Sequence, residues 1–351
     1  MELKLAFIGM GNVGRAFARL LIARRAELAG HYGITWSVTA VATARHGSLI
    51  SQTGLDLASA VERIESGHTI NDLEKSESVS NSTEAIDRCG ADILFETTPL
   101  NPSDGEPAIS YIRRALLRGS SVVTANKGPV AYGYQQLRRL ATAHGVMFRF
   151  EGAVMDGCPV FNLVEFCLPG ARVLSFAGVL NSTTNLVLTG MEEGRSMDEC
   201  LAEAQQLGIA EARPDYDLDA WDSAIKAVAL ANVLMGAEVD MNDVQRLGIS
   251  GLSPQEAKAA RAEGNAIRLV ARGDYSDGKT RISVKPERLS RSSALGSVHG
   301  TSNVLILKTD VMGDIAIFEN DPGIEQTAYA LLSDLIRIHQ WMAADSTARR
   351  V

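Results

Sequence analysis

The chain has 351 residues and carries 34 Lys and Arg against 42 Asp and Glu, a formal charge of −8. That length suits two domains with sizeable cores rather than one, and the acidic balance argues against nucleic acid or an anionic membrane as a partner. Cys89, Cys158, Cys167 and Cys200 stand far apart with no C-x-x-C pair, and neither a leader segment nor an apolar run of ~18 residues is present. The expectation is a cytoplasmic protein without disulfides, zinc or membrane spans.

The first element is the strand Leu3 to Ile8, followed at once by Gly9-Met10-Gly11-Asn12-Val13-Gly14 and a helix with apolar residues at Val13, Ala16, Phe17, Leu20 and Leu21. In this setting the three glycines have distinct roles. Gly9 makes the tight turn, Gly11 lets backbone approach a pyrophosphate, and Gly14 lets helix and strand pack closely. The helix N-terminus, with Asn12 and Val13, then offers N–H groups and a positive dipole end to phosphates. A bare G-x-G-x-x-G is often only a flexible turn. Its place between a strand and an amphipathic helix makes it a dinucleotide site.

Further strands are expected at Trp36–Ala42, Ile93–Glu96, Ser121–Thr124 and Val146–Phe150, with helices at Pro107–Arg118 and Tyr134–His144. This alternation reads as an α/β fold, a Rossmann-type doubly wound parallel sheet over residues 1–151. From residue 152 to 324 the rhythm changes to an α+β substrate and dimerisation domain: a strand at Val173–Leu180, helices across Thr184–Gly236, and strands at Ala266–Ala271, Thr280–Lys285, Asn303–Thr309 and Asp314–Phe318. A last helix from Glu325 to about Met342 is expected to return, with residues 325–351, to the first domain. Ser76–Ser82 and Leu289–Ser297 read as polar loops.

Ligands of such sheets bind beyond the carboxyl ends of the strands. Two stretches stand there. Glu96-Thr97-Thr98-Pro99 is either a wall for the nicotinamide, through Thr97 and Thr98, or simply a polar turn ended by proline. Thr124-Ala125-Asn126-Lys127-Gly128-Pro129 places Lys127 between a strand end and a Gly-Pro turn, a better position for chemistry than an ordinary surface lysine has. A third cluster runs from Glu211 through Asp215, Asp217, Asp219 and Asp222 to Lys226. Asp222 and Lys226 lie four apart on one helix face, usually a solvated pair worth about 0.3–0.5 kcal/mol. Here the helix is apolar nearly all round, so these charges are expected to be buried and to need a reason, such as holding an amino acid and moving its proton. Two lysines converging on one substrate would also depress each other's pKa.

With these residues in view, the chain resembles the homoserine dehydrogenases over nearly its whole length. Val122-Val123-Thr124-Ala125-Asn126-Lys127-Gly128-Pro129-Val130-Ala131, Glu151-Gly152-Ala153-Val154-Met155-Asp156-Gly157-Cys158-Pro159-Val160, Gly178-Val179-Leu180-Asn181-Ser182-Thr183-Thr184-Asn185, and the stretch from Ala204-Gln205-Gln206-Leu207-Gly208 to Lys226 resemble four ordered motifs of that family. The resemblance implies Lys127 and Lys226 as catalytic lysines, with Glu211, Asp217, Asp222, Asn181 and Thr183 about the substrate. The cofactor contacts expected are Gly9, Gly11, Asn12, Val13, Gly14, Arg45, Thr97, Thr98, Lys127 and Gly323. It further implies interconversion of L-homoserine and L-aspartate 4-semialdehyde in aspartate-derived amino-acid synthesis, and a homodimer. Some members hold a structural Na+ or K+ through backbone carbonyls at positions matching Glu151, Val154, Asp156 and Cys158.

Three departures stand out: Ser182 for a glycine, Arg213 for a small or acidic residue, and Ala220-Trp221 for a glycine-containing pair. The last two flank the expected pocket, leaving open a related dehydrogenase of another small amino-acid-like alcohol or aldehyde. A catalytically idle NADP-binding protein is the reading from a different class, and the retained lysines argue against it. The second strand ends in Ala42-Thr43-Ala44-Arg45-His46 without an Asp or Glu for a ribose 2′-hydroxyl, and Arg45 suits a 2′-phosphate, so NADP is favoured over NAD. No regulatory module is expected beyond the terminal helix.

Overall fold

A computed structural model describes residues 2–210, 214–276 and 278–348, with side chains as far as residue 344. It separates into two compact units, Met1–Pro159 with Gly323–Val351, and Val160–Pro322. The first unit runs β1 (Glu2–Ile8), α1 (Asn12–Ala23), α2 (Arg25–Tyr32), β2 (Thr35–Ala42), β3 (Ser48–Ile50), α3 (Leu57–Glu65), β4 (Glu77–Ser78), α4 (Ser82–Arg88), β5 (Ile93–Glu96), α5 (Ala108–Leu117), β6 (Ser121–Thr124), α6 (Lys127–Ala143) and β7 (Phe148–Arg149). The second runs β8 (Val173–Val179), α7 (Ser182–Glu192), α8 (Met197–Gln206), α9 (Asp215–Leu218), α10 (Trp221–Leu234), β9 (Val244–Arg246), α11 (Pro254–Ala262), β10 (Asn265–Ser276), β11 (Lys279–Ser290), α12 (Ala294–Ser297), β12 (Asn303–Thr309) and β13 (Asp314–Glu319). The last helix, α13 (Ile324–Ala348), belongs to the first unit.

In the first unit seven strands lie in the order β4-β3-β2-β1-β5-β6-β7. Strands β2, β1, β5, β6 and β7 are mutually parallel, as in a doubly wound sheet, while β3 and β4 form an antiparallel flap at one edge. The chain winds from β1 to β2 on one side and returns to β5 on the other, so the crevice at the carboxyl ends of β1 and β5 is the topological switch point. Phe7, Phe17 and Phe95 meet beneath it with ring centroids 4.4 to 5.7 Å apart. Ala328, Leu331, Leu332, Leu335 and Ile338 of α13 enter the same core. Asp334 lies among them, fully buried. Its carboxylate accepts from the Glu151 N–H at 2.9 Å and from Arg149 Nε at 3.4 Å.

The second unit holds a six-stranded sheet in the order β13-β12-β8-β10-β11-β9, antiparallel except between β11 and β9. Its helices stay tied to the sheet partly through a buried triad. Arg268 on β10 donates to Glu192 on α7 and to the Val298 carbonyl, and Arg291 takes the other Glu192 oxygen. Burial pulls the Arg268 guanidinium below its ordinary value, and Glu192 opposes that shift.

Several local expectations are corrected. The helix expected from Tyr134 begins at Lys127: Asn126 caps it by accepting from the Gly128 N–H at 3.0 Å, and Pro129 fits the first turn, where its missing N–H would have had no partner. Ser76–Ser82 contains β4 and the start of α4, because strand pairing with β3 overrides its polar composition. Leu289–Ser297 contains the end of the long β10–β11 hairpin and the turn of α12, capped by Ser293. Val146–Phe150 forms only a two-residue edge strand.

Replacing Asp334 with alanine leaves the buried Arg149 without this carboxylate and should cost about 3–5 kcal/mol of stability. The reading is a lower urea midpoint at an unchanged slope; a loss under about 1 kcal/mol would show that the ion pair contributes little.

Candidate active site

The glycine turn sits at the switch point. A Cβ on Gly9, whose φ is +93°, would lie 2.6 Å from the Thr97 carbonyl, and one on Gly14 would lie 2.8 Å from Thr97 Oγ1. Both are therefore required to be glycine. At Gly11, by contrast, a Cβ would meet nothing within 4 Å. No side chain caps α1 at Gly11, no acidic residue stands in its first turn, and Gly11 and Asn12 are exposed, so the start of the helix is open to an anion. The turn fits a dinucleotide pyrophosphate.

Thr97 and Thr98 follow β5 along the same edge. The Thr97 hydroxyl donates to the Gly9 carbonyl at 2.8 Å, which locks the two strand ends together. Lys127 is half-buried at the first position of α6. Arg45 lies exposed at the tip of the reversal from β2 to β3, where the Thr43 hydroxyl donates to the Gly47 carbonyl at 3.0 Å and accepts from the His46 N–H at 2.7 Å. Gly323 precedes α13, and its carbonyl accepts from the Thr327 N–H at 3.4 Å.

In the second unit the polar residues gather around Asn181. Its Oδ1 caps α7 by accepting from the Thr184 N–H at 2.8 Å, while Nδ2 donates to Asp217 at 2.8 Å and to Asp222 at 3.0 Å. Asp222 in turn lies 3.2 Å from Lys226 Nζ, and that ammonium donates to the Leu180 carbonyl at 2.7 Å. Thus the end of β8 delivers the Leu180 carbonyl, the N-cap of α7 an amide, α9 one carboxylate and α10 a carboxylate and an ammonium. Asn181 and Asp222 are buried. Thr183 is buried on α7, 3.4 Å from the Ile209 carbonyl. Glu211 and Arg213 lie outside the described residues.

The departure at residue 220 has a conformational reading. Ala220 adopts φ +63°, a left-handed position where glycine is easiest, and it is fully buried. Trp221 carries the Arg246 guanidinium 3.6 Å above its ring, and Arg246 also donates to the Asp219 carbonyl. The segment Glu151–Cys158 begins with a 3-10 turn and reaches φ +43° at Asp156, whose carboxylate accepts from the Thr327 hydroxyl at 2.8 Å. No cluster of three His, Cys, Asp or Glu suited to a metal occurs among the described residues. Sequence reading does not single out two participants: the hydroxyl of Thr124 and the carboxylate of Glu96, both fully buried at the cofactor edge. A carboxylate ending an apolar strand is the signal that could have found them.

Comparison with known proteins covers almost all of the chain. Residues 159–336 match the family model described as homoserine dehydrogenase, and residues 9–151 match that of the homoserine dehydrogenase NAD binding domain. An NAD(+)-dependent homoserine dehydrogenase of Pseudomonas canavaninivorans is 39% identical over 97% of this chain and 97% of its own length. A homoserine dehydrogenase of Methanocaldococcus jannaschii is 38% identical over 95% and 97%. Among solved structures, a hyperthermophilic archaeal homoserine dehydrogenase in complex with NADPH superposes with a TM-score of 0.81 at 30% identity, covering 96% of this chain and 98% of that one.

The Asn181 bridge predicts an order of stabilities. Asn181→Ala removes a cap and a shared donor and should cost about 2 kcal/mol at any pH near neutrality. Asn181→Asp keeps the cap but sets three carboxylates together, so it should be the less stable variant at pH 7. Thermal melts of the two variants at pH 7 test this; the opposite order would exclude the bridging role.

Proposed function

The chain belongs to the homoserine dehydrogenase family, the NAD(P)-dependent oxidoreductases that interconvert L-homoserine and L-aspartate 4-semialdehyde, and we propose that its reaction is run by Lys127, Lys226, Asp217 and Asp222. The observation that carries this reading is the cluster in which Asn181 orients both carboxylates while Leu180 and Asp222 hold the Lys226 ammonium. Two carboxylates fixed in place suit the amino group of an amino-acid substrate, and a held ammonium suits an oxygen that becomes negative. The nicotinamide cofactor supplies or receives the hydride. In the reducing direction the substrate's aldehyde oxygen gains negative charge and takes a proton from a lysine ammonium. In the other direction the same lysine, deprotonated, removes the hydroxyl proton. Lys127, at the start of α6, is assigned to substrate contact and proton transfer alongside Lys226.

NADP is the favoured cofactor. Arg45 is presented at an exposed turn tip, and the turn from Thr43 to Gly47 contains no carboxylate to engage a ribose hydroxyl. A homodimer through the second unit is supported by one face of its sheet, where Ala177 and Ile306, partly covered, are cross-strand neighbours of the exposed Ala316, with Phe318 exposed beside them. The carbonyls of Glu151, Val154, Asp156 and Cys158 remain the proposed seat of a monovalent cation, favoured by the irregular backbone there. No helix among the described residues is long and apolar enough to cross a membrane. A place in cytoplasmic amino-acid synthesis is part of the same proposal.

Initial rates with L-aspartate 4-semialdehyde should show oxidation of reduced cofactor, faster per unit concentration with NADPH than with NADH. Lys127→Ala and Lys226→Ala should each lose at least about 100-fold in kcat, the scale of general acid–base catalysis, with cofactor binding retained in Lys226→Ala. Arg45→Glu should reverse the cofactor order; an unchanged order would remove Arg45 from cofactor choice. Wild-type protein that binds cofactor but does not turn over this substrate would point to another amino-acid-like aldehyde. Light scattering should give twice the chain mass, and rates in K+ or Na+ should exceed those in a bulky organic cation; a monomer, or equal rates, would overturn the respective proposal.

A further inference from the structure

Glu96 ends β5 with no exposed surface, and the reaction described above gives it no part. Its carboxylate gathers donors from two places. From the loop that follows it, the Thr98 N–H donates to Oε1 at 2.7 Å and the Thr98 hydroxyl donates to the same oxygen. From the end of β6, the Thr124 hydroxyl donates to Oε2 at 2.6 Å. That hydroxyl also accepts from the Asn126 N–H at 2.9 Å, so its single proton is committed to Glu96. Asn126 closes the circuit: Nδ2 donates to the Thr98 carbonyl at 3.2 Å, and Oδ1 caps the helix that starts with Lys127. Burial pushes the carboxyl above its ordinary range, and the bonds from Thr124, Thr98 and Asn126 oppose that shift.

We propose that Glu96 is a positioning residue: its carboxylate clamps the Thr97-Thr98 loop to the start of α6, so that the wall expected to face the nicotinamide and the lysine expected to face the substrate keep one fixed spacing. Burying a carboxylate is costly unless each oxygen is satisfied, and a simple loop tie could be made by a neutral amide. A carboxylate differs in accepting at both ends. Replacing one oxygen with an NH2 group sets a donor against either the Thr98 N–H, which cannot accept, or the Thr124 hydroxyl, whose proton already points inward. Spacing errors of about 1 Å at reacting atoms lower rates about 100-fold without preventing binding.

The test is Glu96→Gln, with Thr124→Val reading the same clamp from the other side and Thr124→Ser as the conservative control. Amide hydrogen exchange on the protein without cofactor reads the clamp directly. Exchange at Thr98 and Gly128 should both accelerate at least tenfold in Glu96→Gln and Thr124→Val, with β1 unchanged and Thr124→Ser near wild type. In turnover, kcat should fall at least tenfold while KM and the NADPH dissociation constant, read by fluorescence, stay within about threefold. Acceleration at Thr98 alone, or a kcat within twofold of wild type, would overturn the proposal. A loss of kcat matched by an equal loss of cofactor affinity would overturn it as well. The turnover arm rests on the reaction assigned above; inactive wild-type protein would tell against that assignment, whereas the exchange arm judges the clamp in either case.

Discussion

No side chain fits between the end of β1 and the end of β5. With Gly9 and Gly14 as glycines, the Thr97 backbone and hydroxyl come directly against the turn, and a single methyl at either position would meet it at 2.9 Å or less. Everything at the cofactor edge depends on that approach. It sets the pitch of α1, leaves the helix N-terminus open at Gly11, and brings the β5 loop into register with the turn through the bond from Thr97 to the Gly9 carbonyl. From there Glu96, Thr124 and Asn126 carry the same constraint to β6 and to the start of α6. One contact of backbone on backbone thereby sets where three strands present their ends.

The second unit solves a different problem, that of keeping charge on an apolar helix packed against a sheet. Helix α10 is buried along most of its length, yet it carries Asp222 and Lys226. Neither is left to pair only with the other. Asn181 donates to Asp222, and the Leu180 carbonyl accepts from Lys226, so strand β8 and the cap of α7 absorb part of the desolvation cost. The Arg268–Glu192–Arg291 triad uses the same device for structure alone: two guanidiniums satisfy both oxygens of one carboxylate. The difference is in what remains reachable. The triad's Arg268 and Glu192 are sealed, whereas Lys226 retains 16% of its side-chain exposure, enough to meet a small molecule.

Those two designs explain why a dehydrogenase of amino-acid-sized substrates is built from two units. The parallel sheet contributes an anion cradle made of backbone, indifferent to the substrate. The second unit contributes two carboxylates and an ammonium held in place by Asn181 and the Leu180 carbonyl, the groups proposed to meet the substrate. Ala220 and Trp221 show how the second set tolerates change. A left-handed alanine and an indole beneath Arg246 stand where the sequence resemblance leads one to expect a glycine-containing pair, while Asp222 and Lys226 beyond them keep their pairing.

Periodicity and punctuation alone disclose the βαβ rhythm, the glycine turn, the buried helix from Trp221 to Leu234 and the spacing of Asp222 and Lys226, because each is a pattern within a few residues. The start of α6 at Lys127 escapes such a reading, since a Gly-Pro pair looks like a turn until the Asn126 side chain is seen to cap it. The edge strands β3 and β4 are hidden for a related reason: three and two residues carry no period, and pairing alone makes them strands. Which distant groups meet is set by the packing of the whole chain. Asn181 stands 36 and 41 positions from the carboxylates it bridges, and Thr124 stands 28 from Glu96. Local sequence sets which conformations and charges a segment offers; the choice of partners across such separations belongs to the packing of the sheet and helices, which no window of sequence contains.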